Sequence, residues 1–213
     1  ALLRTRRTAV YTGSHGEFDL LRLLARPDLN YVDPAAQEGI RYVRPKRSRV
    51  LLLDHDSAQA AVHLLVPGEP WSEENGAFRR LLGEYLGGSA GLIFQEIREA
   101  RGMAYSAHGG AQAGARPGDD DLLYASVGTQ PDKVSDVAEL LVELMRAEPA
   151  DAARWSRAKA SALEKLRSDR VPFQTRGWTA EGWRIRGFTE DPRTERIKSL
   201  RSPDLGDLAA WSE

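Results

Sequence analysis

The chain has no cysteine among its 213 residues, which excludes disulfide bonds, thiolate metal ligands, iron–sulfur clusters and a thiol nucleophile. It also has no apolar run approaching the roughly eighteen residues that a transmembrane helix needs. Charge of one sign does not dominate, because 30 basic and 31 acidic side chains leave a net charge of −1. This balance argues against a dedicated nucleic-acid binder. The 41% hydrophobic and 29% charged residues are instead typical of a globular protein.

Neither end of the sequence has the features of a natural terminus. The segment 1–7 lacks an initiator methionine and the apolar stretch of a signal peptide, and the last residues fall within a predicted helix. We therefore expect the chain to be a piece of a longer polypeptide.

The hydrophobic pattern predicts one α+β domain, with a mixed, mostly antiparallel sheet and helices packed on one face. The apolar segment 59–66 is expected to lie at the centre of this sheet, and the Gly- and Asp-rich segment 109–121 to form a mobile hairpin loop. Ser14 and Glu17 form a capping box for a first helix, and Ser72 is placed to cap a second. The predicted strands are 8–12, 40–43, 49–54, 59–66, 103–109 and 122–127, and helices are predicted after residues 14, 72, 91, 131, 149 and 202.

Candidate metal ligands are few. The histidines, His15, His55, His63 and His108, do not form the helical spacing of a zinc peptidase motif. Asp54-His55-Asp56 has the chemistry for a divalent ion but is more typical of a polar loop. Asp119-Asp120-Asp121 lacks the spacing of a calcium loop, so we interpret it as a solvated charge run. The sequence thus predicts no metal site in this chain.

Two further patterns have a functional and a structural interpretation. The glycine-rich segment 87–91 precedes a predicted helix and has the composition of a phosphate cradle, but it follows a helix rather than a strand, which favours a tight helix–helix turn. Seven basic residues could bind phosphate groups by their charge, but the balanced net charge of the chain favours the interpretation that they are ordinary surface residues. They are Arg4, Arg6, Arg7, Arg41, Arg44, Lys46 and Arg47.

The segment 86–106, LGGSAGLIFQEIREARGMAYS, is the most specific feature of the sequence. It closely resembles the pitrilysin/insulinase family of zinc metallopeptidases, in which a glycine-rich turn leads into Leu-Phe-x-Glu-Ile-Arg-Glu and a Gly-Leu-Ala-Tyr-Ser strand. Further similarities are Val10 to Gly13, Gln59, Gly128 to Lys133, and Ala158-Lys159. The resemblance covers residues 8–210, which we predict to be a single non-catalytic, C-terminal domain of this family.

The resemblance implies a role within a larger enzyme. Family members pair homologous domains into two halves that close around a peptide chamber, and one half holds zinc through an inverted motif with a glutamate general base. We therefore expect this chain to bind no cofactor and the partner half to hold zinc. The expected partners are a catalytic half, in the same polypeptide or a homologous subunit, and a peptide substrate, with neither nucleic acid nor a membrane span.

The family also implies two substrate-contacting residues in the non-catalytic half. An Arg and a Tyr seven positions apart occur there, and Arg98 and Tyr105 stand in the matching places (105 − 98 = 7). A guanidinium can bind substrate carbonyl or carboxylate groups, and a phenol can donate to a developing oxyanion. The structural alternative makes Arg98 a helix-end cation and Tyr105 a half-buried strand aromatic.

A second function class stays open at this point. The chain also resembles the core subunits of the cytochrome bc1 complex, which retain the fold as a proteolytically inactive assembly scaffold. The long bacterial-type members that the sequence resembles suggest a periplasmic or secreted location for the full-length parent.

Overall fold

The structure is a computed structural model and describes residues 10–24, 41–43, 46–146 and 151–212. The chain divides into two compact units, residues 1–39 with 170–191 and residues 40–169 with 192–213. The two units are described separately below. The single domain predicted over residues 8–210 stays a prediction.

The larger unit is built on three antiparallel strands, β1 (Ala60–Pro70), β2 (Ser106–Gln112) and β3 (Asp120–Thr129). Their order in the sheet is β1-β3-β2, so β3 lies at the centre. The prediction that segment 59–66 is central was wrong, because β1 pairs with β3 on one side only within the described residues. An apolar strand can lie at the edge of a sheet when some of its apolar side chains face solvent, and Leu65 of β1 is 63% exposed.

The buried side of the sheet is set by alternation along β3. Leu123, Ala125, Val127 and Thr129 are buried, whereas the residues between them are partly exposed. This period of two places alternate side chains on opposite faces of the strand. Val127 is paired with Val62 on one side and Ala107 on the other, so one apolar row crosses all three strands.

The helices of the larger unit bury apolar stripes in one hydrophobic core with this face of the sheet. In the helix α2 (Gly76–Leu86), residues Leu81, Leu82, Tyr85 and Leu86 are almost fully buried, at the i, i+1, i+4, i+5 spacing of one helix face. The N-cap of this helix is Asn75, so the prediction that Ser72 caps it was wrong; Ser72 Oγ instead accepts from Asn75 N at 3.3 Å in the preceding turn. The helices are α2 (Gly76–Leu86), a π-helix (Phe94–Glu99), a 3₁₀ turn (Pro131–Lys133), α3 (Val134–Met145), α4 (Ala152–Ser168), α6 (Arg193–Ser199) and α7 (Leu205–Ser212).

The smaller unit contains α1 (Glu17–Leu24), a 3₁₀ turn (Phe173–Thr175) and α5 (Arg176–Ile185). The first helix begins at Glu17, where Gly16 O accepts from Leu20 N, and not at the predicted capping residue Ser14.

Three predicted strands are not strands in the structure. Residues 10–12, 41–43 and 49–54 have no strand hydrogen bonding, and residues 8, 9 and 40 lie outside the described residues. Val50, Leu51, Leu52 and Leu53 are each more than 80% exposed. An apolar run of this kind has high strand propensity, but it forms a strand only when a second strand pairs with it through backbone hydrogen bonds.

The acidic triplet also differs from its prediction. Asp119, Asp120 and Asp121 are 1%, 6% and 8% exposed, so they are not a solvated charge run. Asp121 pairs with Arg79 and accepts from Gly114 N, while Asp120 accepts from Arg41 Nη1 at 2.8 Å. These hydrogen bonds replace the water that a buried carboxylate loses. Since β2 ends at Gln112 and β3 begins at Asp120, the hairpin connection is shorter than predicted.

Among the described residues, no helix is both long and apolar enough to cross a membrane.

Candidate functional site

Arg98 lies on the π-helix Phe94–Glu99, and its side chain is 47% exposed. The guanidinium carbon lies 4.9 Å from the centroid of the Phe94 ring, which gives a cation–π contact. Arg98 Nε also lies 3.8 Å from Glu99 Oε1. Because an exposed pair of this length is weak, most donors of Arg98 stay available to a ligand.

Tyr105 immediately precedes β2 and is 53% exposed. Its backbone N–H donates to Gly128 O at 2.9 Å, which fixes the residue against the start of the sheet. Its phenol oxygen accepts from Gln130 Nε2 at 3.3 Å. With the oxygen engaged as an acceptor, the phenol hydrogen is free to be donated elsewhere.

The connection between these two residues is held by a glycine turn. Gly102 has a φ of +59°, which suits glycine, and its N–H donates to Arg98 O at 3.1 Å. Met103 N donates to Ile97 O at 3.0 Å, and Thr129 Oγ1 donates to Met103 O at 2.5 Å. The turn therefore reverses the chain from the π-helix into β2 in a hydrogen-bonded conformation.

Glu96 anchors the same segment to α4, and sequence reasoning assigned it no role. Its carboxylate accepts from Arg101 Nη1 at 2.8 Å and from Arg154 Nη2 at 3.2 Å. The only signal in the sequence was its place in the motif 86–106; the partner Arg154 lies 58 positions away. The contact of Gln130 with Tyr105 was likewise not predictable from its place in the segment Gly128 to Lys133.

The structure thus places Arg98 and Tyr105 at the two ends of one turn, both exposed. No hydrogen bond joins them in the part of the chain that the structure describes. The family resemblance implies that both residues contact the substrate; in the structure each side chain is held separately, Arg98 over Phe94 and Tyr105 against Gln130.

The other motif residues have structural contacts. Lys159 Nζ donates to Arg201 O at 2.7 Å and to Pro203 O at 3.0 Å, so it ties α4 to the turn before α7. Gln59 is exposed directly before β1, and its N–H donates to Ser57 Oγ at 3.4 Å.

The histidines do not assemble a metal site. His63 and His108 are both paired with Ser126 on the exposed face of the sheet, and His55 bonds through Nδ1 to Asp56 O at 3.1 Å. Within the described ranges, no three His, Asp or Glu side chains are placed to hold an ion. The described residues therefore do not fit the zinc of the peptidases that the sequence resembles.

The glycine-rich segment 87–91 follows α2 and makes close contacts instead of a phosphate cradle. A Cβ on Gly87 would lie 2.4 Å from Gly109 O, so glycine allows the helix end to touch β2. Gly88 has a φ of +71°, and Gly91 N donates to Gly88 O at 3.2 Å. This geometry supports the tight-turn interpretation.

Comparisons with solved structures first define the fold. The structure is similar to a protease of Helicobacter pylori, with a TM-score of 0.64 over 94% of this chain and 50% of that one, at 11% identity. It is also similar to a chain of complex III2 of Candida albicans, with a TM-score of 0.57 over 75% of this chain and 40% of that one, at 14% identity. At these identities the similarity shows a shared fold.

The sequence then gives the family. The family described as the peptidase M16 inactive domain matches residues 23–161, and the chain belongs to it. The predicted pitrilysin-like, non-catalytic domain and the α+β class are therefore confirmed. The chain is also 36% identical, over 114 residues, to an uncharacterized zinc protease of Streptomyces coelicolor. That match covers 51% of this chain and 24% of the relative, so the chain spans about a quarter of the curated protein it matches.

Proposed function

We propose that this domain completes a zinc metalloendopeptidase by closing its peptide chamber, and that Arg98 and Tyr105 contact the substrate near the scissile bond. The observation that carries the proposal is the exposure of both side chains on either side of the Gly102 turn, 47% for Arg98 and 53% for Tyr105. Leu86, Ile93 and Ile97 of the same motif are fully buried in the core, whereas these two side chains are accessible to a ligand.

Arg98 suits the binding of substrate carbonyl or carboxylate groups. Its guanidinium is always charged and offers several donors in a planar fork. The Phe94 ring beneath it limits the orientations of that fork, so less conformational freedom is lost when a ligand binds. The expected role is to hold and orient the peptide, which lowers the entropy cost of reaching the transition state.

Tyr105 suits hydrogen bonding to an oxygen that gains negative charge. The Gln130 amide occupies an acceptor position on the phenol and leaves its proton for the substrate. A donor that is already oriented stabilises the transition state more than the ground state, because charge develops on the oxygen only as the reaction proceeds.

The partners follow from the same proposal. A catalytic half, in the parent polypeptide or in a homologous subunit, would hold the zinc that the residues of this chain do not fit, and the substrate would be a peptide. A periplasmic or secreted location of the parent remains part of the proposal.

An assembly scaffold is the second candidate function. The similarity to a chain of complex III2 favours it, since the same fold occurs in that assembly. The two candidate functions differ in what they require of Arg98 and Tyr105. A peptidase domain needs both side chains to contact the substrate, whereas an assembly scaffold does not.

The deciding experiment measures zinc content and peptide cleavage by the full-length parent, with Arg98→Ala and Tyr105→Phe beside it. For a substrate contact we expect each variant to lose roughly tenfold or more in kcat/KM, or about 1.4 kcal/mol of transition-state binding. Arg167→Ala serves as the matched control, because Arg167 is an exposed helix cation away from the turn.

Two outcomes would reject the proposal. If the parent holds zinc and cleaves peptides but both variants keep full kcat/KM, Arg98 and Tyr105 are surface residues. If the parent holds no zinc and cleaves nothing, the scaffold function is favoured.

A further inference from the structure

A groove of about 370 Å³ runs between α2 and β2 in the larger unit, away from the Gly102 turn. We call it the α2–β2 groove. Six of its lining residues are glycines, so much of its wall is backbone and not side chain. It is lined by Gly76, Arg79, Arg80, Gly83, Glu84, Gly87, Gly88, Gly109, Gly110, Ala111, Ala113, Tyr124 and Lys165.

The groove is elongated. Its wall on α2 extends from Gly76 to the helix end at Gly87, eleven residues further on (87 − 76 = 11), which at 1.5 Å per residue is about 16 Å. An extended peptide rises about 3.3 Å per residue, so about five residues would lie along this wall. The shape suits a stretched chain better than a compact ion.

The charges around the groove are almost fully paired. Arg79 bonds to Asp121, and both side chains are only 12% exposed. Lys165 Nζ donates to both carboxylate oxygens of Glu84 at 2.7 Å. Behind α2, Arg196 donates to Glu73 at 2.8 and 3.1 Å.

Arg80 is the exception. Its side chain forms no hydrogen bond or ion pair with any residue that the structure describes, although the carboxylates of Glu73 and Glu84 lie in its electrostatic environment. Glu73 is ion-paired with Arg196, and Glu84 with Lys165. Desolvation of the Arg80 guanidinium, followed by repulsion from Arg196 and Arg79, lowers its pKa, and attraction to Glu73 and Glu84 offsets this only in part. The guanidinium therefore lies among charges without a direct ion pair of its own in the described part of the chain.

We infer that the α2–β2 groove binds an extended acidic peptide, with a carboxylate of the peptide paired to Arg80. A carboxylate matches the planar fork of a guanidinium and forms two parallel, charge-assisted hydrogen bonds. It would also relieve the repulsion between Arg80 and its two arginine neighbours.

The same charges disfavour other anions. Glu84 lies in the groove wall, so a polyanion such as nucleic acid would meet a negative charge there. A phosphate dianion carries twice the charge of the Arg80 guanidinium, and Arg79 and Lys165 are engaged with carboxylates. A peptide with a single carboxylate matches one free guanidinium.

This inference deepens the proposed function, on which it rests for the chemical class of the ligand. It assigns the domain a second peptide contact, distinct from Arg98 and Tyr105, that favours an acidic residue. The binding itself requires neither turnover nor zinc, so it is measurable when cleavage is blocked by a chelator.

The test uses the full-length parent with chelator and a fluorescent peptide that contains one Glu in an otherwise neutral sequence, beside the same peptide with Gln. Binding is followed by anisotropy for the parent, for Arg80→Gln and for Arg167→Gln. Both variants lose one exposed helix cation, but only Arg80 lines the groove. We expect Arg80→Gln to raise the Kd of the Glu peptide roughly tenfold, and Arg167→Gln to leave it within about twofold.

Two further readouts separate a binding role from a structural one. The Kd of the Gln peptide should be the same for the parent and Arg80→Gln. The melting temperature of Arg80→Gln should not fall, because the substitution removes repulsion and breaks no ion pair.

Several results would overturn the inference. These are an unchanged Kd of the Glu peptide in Arg80→Gln, equal affinity of the parent for the Glu and Gln peptides, or displacement of the Glu peptide by inorganic phosphate at concentrations where acetate has no effect. Loss of cleavage in Tyr105→Phe with no change at Arg80 would leave the proposed function standing and reject only this inference.

Discussion

Asp151 shows how much a single side chain can determine at the residue scale. It precedes α4, and its carboxylate accepts from Arg154 N at 2.9 Å, which satisfies one of the free N–H groups at the helix start. Its backbone N–H in turn donates to Tyr85 Oη at 3.2 Å, so the cap is connected to the core through a buried aromatic. Helix α4 also carries Arg154, which binds Glu96 in the candidate site segment.

The capping carboxylate should make stability depend on pH. The hydrogen bond from Arg154 N lowers the pKa of Asp151; desolvation opposes this, and the hydrogen bond from Ala153 N and the charges of Arg154 and Arg157 lower it further. A carboxyl whose pKa is lower in the folded state stabilises the fold above its unfolded pKa of about 3.9 and loses that effect as pH falls through the folded value.

We therefore expect Asp151→Ala to lower the free energy of unfolding by about 1 kcal/mol at pH 7, and the difference from the unsubstituted protein to shrink below about pH 4. Urea unfolding at a series of pH values measures it. Asp151→Asn is the control, since an amide oxygen still accepts the hydrogen bond and does not titrate. A difference that stays constant down to pH 3 would contradict the capping account.

The candidate site residues illustrate the limit of residue spacing. The seven positions between Arg98 and Tyr105 identified the pair through a family resemblance, and the structure finds both exposed. Spacing alone did not reveal what holds each one. Phe94 lies four positions before Arg98 on the same helix, so this contact is between residues close in sequence. Gln130 contacts Tyr105 only because β3 pairs with β2.

At the scale of elements, glycines decide how closely α2 lies against β2. A Cβ on Gly87 would come within 2.4 Å of Gly109 O, and a Cβ on Gly109 within 2.8 Å of Ile93 Cγ1. The close contact between the end of α2 and β2 also lies at the α2–β2 groove, and both Gly87 and Gly109 line that groove. The sequence indicated a tight turn here, but the partner strand was not predictable from the turn.

Two glycine substitutions should act in opposite directions. Gly87→Ala forces the helix end away from the Gly109 carbonyl, and we expect it to lower the free energy of unfolding by about 2 kcal/mol. Gly182→Ala, in the interior of α5 with no atom near the added Cβ, should raise it by about 0.5–1 kcal/mol because alanine favours helix. Urea unfolding of both variants measures these changes, and equal effects of the same sign would contradict the close contact.

The strands show why some elements were predictable and others not. The segments that became β2 and β3 were placed within a few residues, since their composition is bounded by turn residues. The segment 49–54 has an even stronger apolar pattern, yet its leucines are exposed and unpaired in the described structure. Strand formation depends on a partner ladder, which a local pattern does not specify.

At the scale of the whole molecule, the predicted single domain over residues 8–210 is open to a direct measurement. The chain forms two compact units, and its five tryptophans report on both. Trp178 and Trp183 belong to the smaller unit, whereas Trp155 is 5% exposed in the core of the larger one.

We expect these tryptophans to report one cooperative unfolding transition. Labelling with 5-fluorotryptophan and recording ¹⁹F spectra along a urea titration gives a separate midpoint for each residue, because each resonance reports its own surroundings. Coincident midpoints are the signature of a two-state domain. A midpoint for Trp178 and Trp183 well below that of Trp155 would show that the smaller unit unfolds independently, and the single-domain prediction would be wrong.

The sequence by itself determined the family, through the motif 86–106, and the main helices of the larger unit, through apolar stripes such as Leu81, Leu82, Tyr85 and Leu86. These features are local: the side chains that form one helix face are separated by only a few residues. A short motif can likewise be recognised from consecutive residues alone, without knowledge of the fold.

Tertiary structure alone decided which strand is central, which acids are buried and which cation of the α2–β2 groove has no ion pair among the described residues. Asp121 pairs with Arg79 across 42 positions, and Glu73 with Arg196 across 123, so the isolation of Arg80 is visible only after every neighbouring charge has been assigned. The physical reason is that burial and ion pairing depend on distances in space. Those distances are fixed by the packing of helices on the sheet, and residue spacing along the chain does not determine them.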